Sequence, residues 1–222
     1  MVTNPTPTPQ GTRTGLYLAL GLLLAAVAGI GALYGIRGSA RNGEMAQGGA
    51  CAASAATAAR MAPLVKGEVA ALQVQHGPKP AVDVGFSSPD GQPLKLSSFR
   101  GKAVLLNLWA TWCAPCKAEM PALDRLQQDM GGKDFEVVAV NIDTQRLERP
   151  KAFLKEAGVN TLAYYSDKEA AIFTDLKKAG KAFGMPTTLL IDANGCELAT
   201  MAGPADWAGA DARAVIGALL KR

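Results

Sequence analysis

The 222-residue chain carries one histidine and four cysteines, and only 19% of its residues are charged. A structural zinc ion wants four ligands, and His76 with no second Cys-x-x-Cys motif leaves that set incomplete, so no metal is expected. The net charge of +4 comes without a basic cluster interleaved with aromatics, which removes the reason to invoke nucleic acid. No internal repeat is visible, and no cofactor is called for.

Charge is missing altogether from residues 15–36, which hold only Leu, Ala, Gly, Val, Ile and two tyrosines. Arg13 and Arg37 bracket the run, and Tyr17 and Tyr34 lie near its ends, where amphipathic rings prefer a membrane interface. A helix of that length rises ~33 Å, enough to span a hydrocarbon core of ~30 Å. A single transmembrane anchor is therefore expected over 15–36, after a disordered Thr- and Pro-rich tail over 1–14. A cleaved signal peptide is the competing reading, because Ala32 and Gly38-Ser39-Ala40 offer small-residue exits; the length of the apolar run favours retention. Residues 37–79 read as a linker followed by an Ala-rich helical extension, interrupted at Pro63. The compact domain is expected over 80–222.

Within that domain the apolar run Ala103–Trp109 predicts a buried strand, and residues 114–130 predict a helix kinked at Pro121. Strands follow over 135–142, 162–165 and 187–192, with helices over 148–158 and 169–178. Ala193-Asn194-Gly195 turns the chain into a return strand over 196–201, and an amphipathic helix over 207–220 closes it. A short hairpin over 82–96 precedes them. The order predicts an α/β domain with a mixed central sheet and helices on both faces.

The chemistry concentrates in Trp112-Cys113-Ala114-Pro115-Cys116-Lys117. Two thiols separated by two residues can open and close a disulfide while the first helical turn forms. At a strand-to-helix junction the free backbone N–H groups and the positive helix end favour the thiolate, the reacting species. Cys113 is the expected nucleophile, exposed, and Cys116 the inward resolving thiol. Cys51 and Cys196 remain, an even pair. Two unrelated buried thiols are one reading; a structural disulfide is the other, and it moves ahead if the anchor puts the domain in an oxidising compartment.

The stretch Trp109-Ala110-Thr111-Trp112-Cys113-Ala114-Pro115-Cys116-Lys117-Ala118-Glu119-Met120-Pro121, together with Gly184-Met185-Pro186-Thr187-Thr188, resembles the TlpA/ResA-type membrane-anchored thioredoxin-like proteins. The anchor with Cys51 and Cys196 leans toward the TlpA branch, whose soluble domain carries an additional structural disulfide. The resemblance implies a thioredoxin fold and a protein-disulfide oxidoreductase. It also implies a substrate-contacting surface of Trp112, Ala114, Pro115, Met185 and Pro186, with Pro186 in a cis-proline loop. Asn107 stands where thioredoxin has a buried aspartate and cannot take a proton, which leaves Glu119 as the candidate proton relay. A solvated helix charge is the equal alternative for Glu119.

The uncharged Ala114-Pro115 pair predicts a reducing couple. By resemblance the clients carry cysteine pairs and serve cytochrome oxidase copper-centre assembly (a copper chaperone or an oxidase subunit), with apocytochrome c as runner-up. A membrane electron donor would recharge the dithiol. The expected setting is a monomer on the inner membrane with its catalytic domain on the periplasmic side. A non-enzymatic copper carrier on the same fold would need Cys-x-x-x-Cys and a histidine within the domain, and this chain has neither.

Overall fold

The computed structural model describes residue 49 and residues 51–221. The expected tail and anchor lie outside them, and among the described residues no helix is long and apolar enough to cross a membrane.

The core strand β4 (Ala103–Trp109) is buried at every position. Its continuous apolar run suits a strand covered on both faces, and only Asn107 interrupts it. The other strands are β1 (Gln73–Pro80), β2 (Gly85–Ser87), β3 (Pro93–Lys95), β5 (Phe135–Asn141), β6 (Tyr165–Ser166), β7 (Thr187–Ile191) and β8 (Cys196–Ala202). They form one sheet in the order β1-β8-β7-β4-β5-β6-β2-β3. β4 runs parallel to β5 and antiparallel to β7, so the sheet is mixed. The ends of β4 and β5 and the start of β7 therefore lie at one edge, and all the redox residues gather there.

Helix α2 (Ala114–Met130) leaves that edge directly after β4. Pro115 falls in its first turn, where a missing N–H costs no helical hydrogen bond. The helix runs on through Pro121, burying Met120, Leu123 and Leu126. Helices α3 (Arg149–Glu156), α4 (Ala171–Lys178) and α5 (Ala210–Leu220) complete the predicted series.

The folded body begins well before residue 80. Helix α1 (Ser54–Met61) is followed by two 3-10 turns, and Ala58, Met61, Val69 and Leu72 all join the main core. β1 then adds an edge strand to β8, pairing Gln73 with Thr200 and Pro80 with Cys196, with an irregularity between Val74 and Lys79. Helix α1 falls within the Ala-rich helical extension expected over 37–79, whereas β1 and the core residues from Ala58 onward carry the compact body back before the expected start at residue 80. Gly77, Pro78 and Pro80 argue against a strand in sequence, yet an edge strand tolerates them because one side needs no ladder bonds.

A disulfide between Cys51 and Cys196 ties the chain ahead of α1 to the start of β8. Nearby, the buried Ser54 hydroxyl donates to the Asp192 carboxylate. Closing a loop of 145 residues stabilises the fold by about 5 kcal/mol in the chain-entropy model.

Candidate active site

Cys113 and Cys116 are joined in a disulfide at the start of α2. Cys113 is the helix N-cap, and its Sγ accepts a hydrogen bond from the backbone N–H of Cys116 at 3.3 Å. That N–H is one of the free donors of the first helical turn, aimed at the sulfur that would carry negative charge on reduction. Cys113 is more buried than expected, at 5% exposure, whereas Cys116 is fully sealed at 0%. The exposed nucleophile expected from the sequence is thus corrected: Cys113 is buried, though less completely than Cys116. Trp112 beside them is 66% exposed.

The loop ahead of Cys113 is clamped from β5. The Asp143 carboxylate accepts from the Thr111 backbone N–H and hydroxyl, each at 2.8 Å, and from the Asn141 side-chain amide at 2.7 Å. Sequence reasoning passed over Asp143. Its position just past the carboxyl end of a parallel strand, where α/β sheets place their sites, was the available signal.

Glu119 is buried, which rules out a solvated helix charge. Its Oε1 accepts from Asn107 Nδ2 at 2.8 Å, and its Oε2 accepts from the Ala205 backbone N–H and from Trp207 Nε1, each at 3.2 Å. Burial pushes its pKa up to about 7, against those three donors, which favour the carboxylate. Asn107 also donates to Thr188 Oγ1 at 3.0 Å, while its Oδ1 has no partner among the described residues. The amide is thus turned with both hydrogens engaged, one of them on Glu119. Glu119 lies one turn along α2 from Cys116, on the same helix face.

The Met185–Pro186 peptide is cis. Because β7 starts opposite Leu108 of β4, Met185 and Pro186 sit at the edge that holds the cysteines. Phe183, three residues before Pro186, is 80% exposed. Ala114 and Pro115 occupy the turn between the two sulfurs. Sequence reading overlooked Phe183, because nothing in a lone aromatic distinguishes an exposed ring from a core one.

Residues 76–216 match the family model for redoxin. The chain belongs to the redoxin family. Within the family it is 36% identical over 124 residues to the thiol-disulfide oxidoreductase ResA of Geobacillus kaustophilus, covering 53% of this chain and 68% of that protein. It is 30% identical over 125 residues to ResA of Bacillus subtilis, covering 53% and 66% respectively. Among solved structures it is similar to a thiol:disulfide interchange protein of the thioredoxin family from Chlorobium tepidum, at a TM-score of 0.52 and 29% identity, covering 64% of this chain and 97% of that one. This redoxin has the thioredoxin-like α/β fold and is a protein-disulfide oxidoreductase.

Proposed function

We propose that this redoxin is a membrane-anchored reductant of cysteine pairs in client proteins, acting through Cys113 and resolved by Cys116. The observation that carries the reading is the disulfide at the α2 N-terminus, in which Cys113 is the N-cap and the less buried of the two cysteines. The reduced Cys113 thiolate attacks one sulfur of a client disulfide; a mixed disulfide forms and one client thiolate leaves and takes up a proton. Glu119 then accepts the Cys116 proton. The Cys116 thiolate attacks Cys113 Sγ and releases the second client thiolate. Two electrons pass to the client, and the pair returns to the disulfide described here.

Trp112, Ala114, Pro115, Met185 and Pro186 would hold the client's strand against the sulfurs. An external dithiol, such as a membrane electron donor, must recharge the pair after each turnover. The Cys51–Cys196 bond supports a domain on the periplasmic side of the inner membrane, since structural disulfides persist in oxidising compartments. The uncharged Ala114-Pro115 turn supports the reducing direction. Proteins of cytochrome oxidase copper-centre assembly are the proposed clients.

The test is trapping in cells with the Cys116→Ser variant on the full chain. Mixed disulfides with oxidase-assembly proteins support the client assignment, and mixed disulfides with apocytochrome c alone redirect it. Equilibration with glutathione measures direction: a couple as oxidising as a dedicated disulfide-forming enzyme contradicts the reductant reading.

A further inference from the structure

A cleft opens beside the reactive disulfide, lined by Thr111, Trp112, Asp143, Gln145, Arg146 and Arg149. Arg146 and Arg149 are exposed, and among the described residues neither guanidinium enters an ion pair or a side-chain hydrogen bond. The Arg149 backbone N–H donates to the Arg146 carbonyl at 2.9 Å, so one tight turn presents both side chains. Arg146 itself stands in the left-handed region at φ 52°, as only Ala170 also does among the described non-glycine residues.

The acid at this cleft is already spent. Asp143 is buried, and its oxygens are engaged by the Thr111 backbone, the Thr111 hydroxyl and Asn141. Glu148, in the same turn, is exposed and outside the lining. Outside the lining, two lysines rest on aromatic rings, Lys117 over Phe153 at 5.6 Å and Lys151 over Tyr164 at 5.0 Å. The cleft adjoining Trp112 therefore presents the unpaired positive charge of Arg146 and Arg149, two planar forks suited to a carboxylate.

We propose that this cleft recognises an acidic side chain flanking the cysteine of the client, with Arg146 and Arg149 as specificity-determining residues. The proposal rests on the exchange reading above and names the substrate class of that same site. The client strand lies across the disulfide, and an Asp or Glu beside its cysteine reaches the two guanidiniums past Trp112. Being solvated, the pair acts mainly on encounter and orientation, so its effect falls as salt rises.

The test is reduction of disulfide-closed synthetic peptides that share one Cys-x-x-Cys core and differ only in glutamate, glutamine or lysine flanks. The wild type is expected to reduce the glutamate peptide about tenfold faster than the lysine peptide at low ionic strength, with the gap closing in high salt. Arg146→Glu with Arg149→Glu should reverse the ranking. Arg146→Gln with Arg149→Gln, which keeps size and polarity, should abolish it. Equal rates in the wild type, or a ranking unchanged in both variants, overturns the cleft assignment. A wild type that reduces none of the peptides overturns the exchange reading, and the cleft assignment with it.

Discussion

The Asn107 side-chain amide donates to the Glu119 carboxylate at 2.8 Å, with both residues buried under the redox disulfide. The site thereby moves its ionisable carboxyl from the strand to the helix and leaves an amide to steady it. Three donors favour the charged form of Glu119, burial opposes it more strongly, and the pKa settles near 7. The group is thus able to take or give a proton at neutral pH.

That raised pKa fixes a sign for stability. The folded protein holds the Glu119 proton at pH values where the unfolded chain, with a carboxyl near 4.5, has lost it. The stabilisation is complete below about pH 4.5 and is lost as pH rises through 7, for a total of about 3 kcal/mol. Urea unfolding of the oxidised protein at pH 4.5 and pH 8 should show the Glu119→Gln variant gaining stability relative to wild type by that order. An unchanged difference between the two pH values would contradict the assignment.

Asn107→Leu removes a donor that favours the carboxylate, so Glu119 should titrate higher than in the wild type. Carbon NMR of labelled glutamate side chains reads this directly, independent of turnover. A downward move would show that Asn107 does not hold the charged form.

Cys51→Ser with Cys196→Ser opens the long loop that fastens α1 to β8. Stability measured by denaturant should fall by up to about 5 kcal/mol. The Cys113–Cys116 pair should still cycle in whatever fraction remains folded, because neither partner of the structural bond lies at the redox edge.

Trp112 and Phe183 present large apolar rings to solvent on either side of the reactive pair in sequence. Alanine at either position should lower kcat/KM for a protein disulfide several-fold and leave the reaction with a small aromatic disulfide nearly unchanged. Equal losses on both substrates would place these rings in folding rather than in client contact.

Local patterns were strong enough to read β4 and α2 to their ends, because a continuous apolar run and a Cys-x-x-Cys helix start admit few alternatives. β1 was illegible: Gly77, Pro78 and Pro80 carry no strand signal, and its pairing with β8 is a long-range event. The same limit applies to Glu119. Its spacing from Cys116 was visible, but its burial depends on Trp207 and Ala205 arriving from the far end of the chain. Asp143, which braces Thr111, was legible in principle from its place just past the end of β5, but its partner is fixed only once β5 pairs with β4.

Alkylation of the fully reduced protein, followed by peptide mass spectrometry, tests the central claim most directly. Brief exposure to iodoacetamide should modify Cys113 while Cys116, sealed beneath it, stays protected until the protein is unfolded. Modification of Cys116 first, or of both sulfurs at one rate, would contradict the account.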